Sequence, residues 1–205
     1  MLDHKIASLI LAAGESARMG SPKALCRYQG ETFIERIIRL HREHNLRTIV
    51  ILGFDQSAIL KAISARDAEI VLNPRPELGP LSSLQVTLPL VSSCEAILLH
   101  PVDHPCVRSE TIGRLVEAFR RLPASILIPE TSGQKGHPVL FPSRYFLDLK
   151  CAPLDQGARA VTRRYRPNIH RVPVGDPGIL INVNTPEDLS GLRDDRPGIW
   201  LSRRQ

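Results

Sequence analysis

The sequence predicts an α/β fold: a Rossmann-like, mostly parallel sheet covered by helices on both faces. The first observation is that apolar, strand-like runs alternate with amphipathic, helix-like stretches over the first two-thirds of the 205 residues. The second is that an apolar run, 6–11, stands almost at the N-terminus and leads directly into a glycine-containing loop. Such a β-α-β rhythm is typical of parallel strands joined by crossover helices.

The individual elements follow from periodicity and from turn residues. Apolar residues recurring every three or four positions predict helices, and short apolar runs bounded by Pro, Gly or Asn predict strands. The predicted strands are 6–11, 48–52, 69–72, 95–100, 125–128, 139–141, 169–172 and 179–183. The predicted helices are 32–44, 57–64, 81–90, 110–122, 155–165 and a last helix that opens at Pro186, with Thr185 as its N-cap.

Length and composition predict one domain. A chain of this length can bury a substantial core without disulfides, so 1–192 is expected to form a single domain. The strand–helix rhythm occupies 1–129, a smaller mixed β part occupies 130–192, and 193–205 are expected to be a C-terminal tail. The four cysteines are scattered without a C-x-x-C pair, and no apolar run approaches the ~20 residues of a membrane span. A cytoplasmic protein without membrane contact is expected.

The net charge of +6 does not predict nucleic-acid binding. The cations are interleaved with glutamates in helical segments, and aromatic residues make up only 4% of the chain. Proteins that stack on bases usually carry more aromatic surface. The excess charge therefore indicates solvated helix faces together with a phosphate-rich small molecule.

The loop after the first strand reads Leu11-Ala-Ala-Gly-Glu-Ser-Ala-Arg-Met-Gly-Ser-Pro-Lys23. Small residues let the backbone approach a ligand, its amides can bind phosphate oxygens, and the cations add positive charge. The loop fits neither G-x-G-x-x-G nor the Gly-Lys-Ser/Thr phosphate loop. It predicts a nucleoside triphosphate site, although a glycine turn with two solvated cations has the same composition. Its candidate nucleotide-binding residues are Leu11, Ala12, Ala13, Gly14, Arg18 and Lys23.

Further candidates follow later strands, where ligands bind in open parallel sheets. Asp103, between two prolines, is a candidate Mg²⁺ ligand or simply the cap of its own turn. Asn182 and Asn184 offer neutral oxygens to the same ion, or are ordinary turn residues. The segment after 69–72 adds candidate contacts to an anion or a nucleobase, with helix capping as the alternative; these are Asn73, Ser82 and Ser83.

The second half carries candidates for binding an acceptor. Gly136 and His137 indicate either a close approach to a ligand or a hairpin turn, and Arg159 near a helix start indicates a phosphate contact or a surface arginine. His100 and His104 lack partners at metal-site spacing, which favours turn histidines over a zinc site.

These clusters, in this order, resemble the molybdenum cofactor cytidylyltransferase and guanylyltransferase family from Ile6 to about Leu192. The first loop and the Pro101–Pro105 motif are shared by many nucleotidyltransferases. Three further matches are Gly-His-Pro-Val-Leu-Phe ending at Phe141, Gly-Ala-Arg ending at Arg159, and Asn184-Thr-Pro-Glu-Asp-Leu189. The first two of these point to the cytidylyltransferase branch.

The resemblance implies a nucleoside-diphospho-sugar-transferase-like fold and magnesium-dependent transfer of CMP from CTP to the phosphate of molybdopterin. It implies that the first loop approaches the nucleotide, that Arg18 and Lys23 bind the triphosphate, and that Asp103 holds Mg²⁺. Residues around Gly136 and His137 would face the pterin. Cytidylyltransferases of this branch usually carry Asp-x-Asp where this chain has Asn182-Val-Asn184, and guanylyltransferases often carry Asn, so GTP is the alternative donor.

Two other functions fit the same residues. The acceptor could be a sugar or polyol phosphate, which would leave the glycine loop and Asp103 unchanged. The asparagines at 182 and 184 also fit a nucleotide-binding partner of a molybdoenzyme, or of its chaperone, without turnover of its own. In the catalytic hypothesis, the acceptor phosphate attacks the α-phosphorus in line, and the stabilising residues are Lys23, Arg18 and Asp103.

Overall fold

The computed structural model describes residues 5–63 and 68–193. Within them, eight strands form one sheet. Seven of them lie in the order Ile169–Pro173 (β10), Ile126–Thr131 (β7), Val139–Pro142 (β9), Ala96–Pro101 (β6), Ile6–Ala12 (β1), Arg47–Leu52 (β4) and Glu69–Leu72 (β5), and Gln134–Lys135 (β8) pairs with β7. The strands β6, β1, β4 and β5 are mutually parallel, and β10 is parallel to β7. The strand β9 runs antiparallel to both β6 and β7. The predicted α/β class, with a mostly parallel sheet and a mixed part in the second half, is confirmed.

The strands are β1 Ile6–Ala12, β2 Arg27–Tyr28, β3 Glu31–Thr32, β4 Arg47–Leu52, β5 Glu69–Leu72, β6 Ala96–Pro101, β7 Ile126–Thr131, β8 Gln134–Lys135, β9 Val139–Pro142 and β10 Ile169–Pro173. The helices are α1 Phe33–Arg42, α2 Gln56–Ala62, α3 Pro80–Thr87, α4 Ser109–Arg121, α5 Phe146–Cys151, α6 Arg159–Arg164 and α7 Pro186–Arg193. The strands β2 and β3 form a separate two-stranded hairpin.

Alternating residues of the central strands point to opposite faces, and each face packs on its own helices. On one face, Leu9 and Ile51 belong to a buried cluster that includes residues of α3, α5 and α6. On the other, Ile10 and Val50 pack with residues of α1 and α2, and Leu98 packs with α4. None of the helices within 5–63 and 68–193 has the length and apolarity that crossing a bilayer requires.

Helix α1 shows how local sequence sets these boundaries. Thr32 is its N-cap: the Thr32 hydroxyl accepts from the Glu35 backbone N–H, and the Glu35 carboxylate accepts from the Thr32 N–H. This reciprocal pair satisfies two donors that the helix start leaves unpaired. The buried residues of α1 recur at helical spacing, so the helix lies on the sheet with one apolar face.

Two predicted elements are wrong in whole or part. The predicted strand 179–183 does not form, because Pro177–Leu180 is a 3-10 helix whose start is capped by the buried carboxylate of Asp176. The helix predicted over 155–165 is limited to α6, since 154–158 form turns. The prediction missed α5. The predicted end of the second helix at Ser64 and the tail beyond Arg193 lie outside the described residues.

Candidate functional site

The loop between β1 and the hairpin is folded around Ser16. Ser16 and Gly20 have left-handed backbone conformations, with φ of 58° and 69°. The Met19 N–H donates to the Ser16 carbonyl at 2.8 Å, and the Lys23 N–H donates to the Ser16 hydroxyl at 3.1 Å. Met19 is buried in the core beside α1. The turn therefore anchors itself on Met19 and leaves the side chain of Arg18 exposed and that of Lys23 half-buried.

Both cations of this loop contact Asn184, which lies just before α7. The Lys23 ammonium donates to Asn184 Oδ1 at 2.6 Å, and Arg18 Nη2 donates to the same oxygen at 3.4 Å. The amide nitrogen of Asn184 donates to Asn182 Oδ1 at 2.6 Å. Lysine and arginine have only donors to offer, so the amide oxygen must face them. The structure thus brings four predicted site residues together.

The start of α7 holds Asn184 in place. The carboxylate of Asp188 accepts from the backbone N–H groups of Asn184 and Thr185 at 2.8 and 3.0 Å, and the Thr185 hydroxyl accepts from the Asp188 N–H. Thr185 is therefore the N-cap, as predicted. One residue earlier, the Val183 N–H donates to the backbone carbonyl of Asp103 at 2.8 Å. This bond fixes the asparagine segment beside the loop that follows β6.

Asp103 faces the same cations. Its Oδ1 atom is buried and accepts no hydrogen bond. Burial raises the pKa of this carboxyl, and the positive charges of Lys23 and Arg18 act in the opposite direction. The segment that carries the amide oxygens of Asn182 and Asn184 is hydrogen-bonded to the backbone of Asp103. A buried carboxylate oxygen without a donor, together with such amide oxygens, offers ligands of the kind that a hard divalent cation prefers. Within the described residues, no three His, Cys, Asp or Glu side chains are placed to bind a metal on their own.

Two buried histidines support the loop that carries Asp103. His100 Nε2 lies 3.0 Å from the carbonyl oxygen of His104, and His41 Nε2 lies 2.9 Å from His100 Nδ1. A carbonyl can only accept, so His100 donates from Nε2, and its Nδ1 accepts from His41. Burial lowers the pKa of His41 well below its usual value and that of His100 to about 3. Both rings are therefore neutral and act as a rigid link from α1 to this loop.

Because His41 and His100 are buried in the neutral form, we expect the free energy of unfolding to fall in acid. The unfolded chain binds protons on these histidines below about pH 6.5, while the folded chain does not, so stability falls as the pH drops. His41→Gln keeps a donor for His100 and removes one such group. We expect it to reduce the pH dependence of the unfolding free energy between pH 5.5 and 4.5 by about 1.4 kcal/mol per pH unit, measured by urea titration. His170→Gln, at an exposed position on β10, is the control, and an undiminished slope in His41→Gln would contradict the assignment.

His104 packs against His137, one of the predicted acceptor residues. The rings of His104 and His137 have centroids 4.6 Å apart. Burial lowers the pKa of His137 to about 4, and the positive charge of Arg159 adds to the shift. The positive charge of Arg159, at the start of α6, thus acts at His137. His104 also lies near Asp103, whose Oδ1 is 3.9 Å from His104 Nε2.

Gly136 is small for a reason other than the predicted approach of a ligand. A Cβ atom built on it would lie 2.3 Å from the carbonyl oxygen of Ile179, so the close neighbour is the protein backbone itself. The Ile179 carbonyl also accepts the His137 N–H at 3.1 Å. Gly136 therefore lets the 3-10 helix pack against the loop and sets the position of His137.

The side chains of Asn73, Ser82 and Ser83 bind one another. The Asn73 amide nitrogen donates to the hydroxyls of Ser82 and Ser83 at 2.8 and 3.0 Å, and all three side chains are buried. The Ser82 hydroxyl donates to the carbonyl of Gly79 at 2.7 Å, and Gly79, not a serine, is the N-cap of α3. This network fixes the turn before α3, so the groups it leaves for a ligand are mainly those of the backbone.

Sequence reasoning missed Asp176. Its carboxylate is buried and accepts from the Arg108 N–H at 2.8 Å, the Thr111 hydroxyl at 2.7 Å and the Gly178 N–H at 2.9 Å. It joins the start of α4 to the segment that carries Ile179 and, further on, Asn182 and Asn184. The signal was the tripeptide Asp176-Pro-Gly178, which is typical of a turn.

Comparison with known proteins shows the family of this chain. The model of the MobA-like NTP transferase domain matches residues 8–169. A molybdenum cofactor guanylyltransferase of Rhodopseudomonas palustris is 30% identical over 96% of this chain and 99% of its own length. A probable molybdenum cofactor guanylyltransferase of Rhodopirellula baltica is 29% identical over 88% of each chain.

Solved structures show the same fold. The crystal structure of Rv0371c from Mycobacterium tuberculosis is similar with a TM-score of 0.82 and 28% identity, over 94% of this chain and 98% of that one. A structure of Rv0371c in complex with manganese has a TM-score of 0.79 at 24% identity, over 94% of this chain and 100% of the other. The two curated relatives are named for guanylyl transfer, so they give no support to the predicted preference for CTP.

The family model covers most of the chain. The chain belongs to the MobA-like NTP transferase family and is a nucleotidyltransferase.

Proposed function

We propose that this protein transfers a nucleoside monophosphate from GTP to the phosphate of molybdopterin and releases pyrophosphate. The observation that carries the transfer is the convergence of Lys23, Arg18 and Asp103 at the ends of β1 and β6. The names of the full-length relatives support both the donor and the acceptor. CTP is the second candidate donor. It is favoured by the sequences Ala12-Ala-Gly14 and Ser21-Pro-Lys23 in the first loop, which resemble those of the cytidylyltransferase branch.

The chemistry needs positioning and charge more than covalent catalysis. An oxygen of the acceptor phosphate attacks the α-phosphorus in line and forms a new P–O bond. The bond from the α-phosphorus to the bridging oxygen of the β-phosphate breaks, and pyrophosphate leaves with that electron pair. The acceptor phosphate is already ionised, so no general base is required. The amides of the first loop, Arg18 and Lys23 stabilise the charge that develops on the triphosphate.

Mg²⁺ fits the donor set at this site. Asp103 would supply the carboxylate oxygen, and Asn182 and Asn184 would supply amide oxygens, with phosphate oxygens and water completing the shell. The bound ion would neutralise charge on the triphosphate. The unbonded, buried Oδ1 of Asp103 is the feature that supports this assignment.

The acceptor is assigned to the side of His104 that carries His137 and Arg159. Leu11, Ala12, Ala13 and Gly14 are assigned to the nucleotide, and the turn held by Asn73, Ser82 and Ser83 is assigned to the base or ribose. A molybdoenzyme or its chaperone is proposed as the recipient of the product. In this arrangement 1–129 bind the donor and 130–192 bind the acceptor.

The test is pyrophosphate release with Mg²⁺ and each of GTP, CTP, UTP and ATP, with and without molybdenum-loaded molybdopterin. We expect release with GTP that depends on the pterin. Pterin-dependent release with CTP and not with GTP would replace GTP as the donor and keep the acceptor. Release with sugar or polyol phosphates but not with the pterin would contradict the proposed acceptor. Protection against unfolding by a nucleotide without any release would indicate the non-catalytic partner.

The proposed contact between Arg159 and the acceptor phosphate can be tested by substitution. Arg159 is exposed at the start of α6, where its guanidinium can reach an acceptor phosphate. A charge-assisted hydrogen bond is worth roughly 1.5–3 kcal/mol, so Arg159→Ala should raise the KM for the acceptor about tenfold or more and leave the KM for the nucleotide unchanged. Arg163→Ala, on the same helix, is the control. Equal acceptor KM values in the wild type and Arg159→Ala would remove this residue from the site.

A further inference from the structure

The Oδ1 atom of Asn184 accepts hydrogen bonds from two cationic side chains. Lys23 Nζ lies 2.6 Å from it and Arg18 Nη2 lies 3.4 Å from it. The other end of the amide is held by Asn182 Oδ1 at 2.6 Å, and the backbone N–H is held by Asp188. The amide is thus fixed with its oxygen toward the cations. In the protein without ligands, that oxygen is already occupied by Lys23.

The same arrangement disfavours the binding of a divalent cation at Asp103. The buried carboxylate contributes one negative charge, and two positive side chains face it. A divalent ion there would lie beside both cations, and it would need the Asn184 oxygen that Lys23 holds. A triphosphate changes both conditions, because its oxygens attract Lys23 and Arg18 and add negative charge beside the metal.

We propose that Lys23 and the divalent metal compete for Asn184 Oδ1, so that the free protein excludes the ion until a triphosphate draws the lysine away. Because Asn184 is neutral, Lys23 is held by a hydrogen bond and not by an ion pair, and it can be released to the nucleotide. Asn184 is therefore a positioning residue for Lys23 in the free protein and a metal ligand in the loaded one. The inference rests on the proposed function in placing the metal beside Asp103 with Asn184 as one of its ligands.

The test measures Mn²⁺ binding to the intact protein without nucleotide or acceptor, by the loss of the EPR signal of free Mn²⁺. We expect weak binding to the wild type and binding at least about tenfold tighter to Lys23→Met, a gain that corresponds to about 1.4 kcal/mol. Lys61→Met, at an exposed position of α2, removes the same charge elsewhere and should bind like the wild type. Lys23→Gln serves as a second variant, and urea titration shows that each protein is folded.

The double variant separates competition from simple charge repulsion. If Lys23 blocks the oxygen of Asn184, then Lys23→Met should tighten Mn²⁺ binding relative to the wild type, whereas Lys23→Met/Asn184→Ala should bind Mn²⁺ no more tightly than Asn184→Ala. Tighter binding by the double variant than by Asn184→Ala, or no tightening in either Lys23 variant, would overturn the proposal. Since neither donor nor acceptor is present, these outcomes do not depend on which nucleotide or acceptor the enzyme uses.

Discussion

Replacing Lys23 with alanine should lower kcat for pyrophosphate release by about a hundredfold or more. Removing one preorganised donor from a site that stabilises developing charge typically costs about 10²–10³ in kcat. Lys23 is well placed for that role, because its ammonium is half-buried, faces Asp103 and leaves its present partner Asn184 without breaking an ion pair. The measurement is steady-state pyrophosphate release at saturating donor and acceptor.

The structure makes this substitution a clean one. The Lys23 backbone N–H, which donates to the Ser16 hydroxyl, is unchanged by alanine, so the loop keeps its anchor. Lys61→Ala is the matched control for loss of one surface cation. Turnover within a few fold of the wild type, in a Lys23→Ala protein with an unchanged urea midpoint, would remove the lysine from the transition state.

The sheet and the first half of the site could be predicted from sequence because their determinants are local. The first loop directly follows β1, and the proline-bounded Asp103 directly follows β6, so each lies next in sequence to the strand that supports it. The rule that ligands gather at the carboxyl ends of parallel strands then places Lys23 and Asp103 together. Lys23 and Arg18 also bond to Asn184, which follows a 3-10 helix and not a strand, so the rule does not account for that contact.

The second half could not be predicted in the same way because its determinants are distant. The apolar run 179–183 has the composition of a strand, yet Asp176 turns it into a 3-10 helix by binding α4, more than sixty residues earlier. Gly136 is explained only by the carbonyl of Ile179. Likewise, Asn73, Ser82 and Ser83 fit a ligand site by composition, but their side chains are engaged with one another.

The segment 176–184 therefore carries a second large effect, at Gly178. A Cβ atom on this residue would lie 2.1 Å from the carbonyl oxygen of Cys106 and 2.9 Å from Asp176 Oδ1. Neither the backbone of Cys106 nor the buried carboxylate can move aside as a flexible side chain would. We expect Gly178→Ala to lower the free energy of unfolding by about 3 kcal/mol, at the upper end of the usual cost of overpacking, measured by urea titration.

The same variant should damage catalysis beyond its effect on folding, because the displaced segment positions both halves of the site. Ile179 holds the His137 N–H, and Val183 holds the carbonyl of Asp103. Gly175→Ala is the matched control, since a Cβ there meets nothing within 4 Å, and its stability should stay within about 0.5 kcal/mol of the wild type. Equal urea midpoints for the two variants would show that the segment can shift without cost, and would refute its role as the rigid link between the donor and acceptor sides.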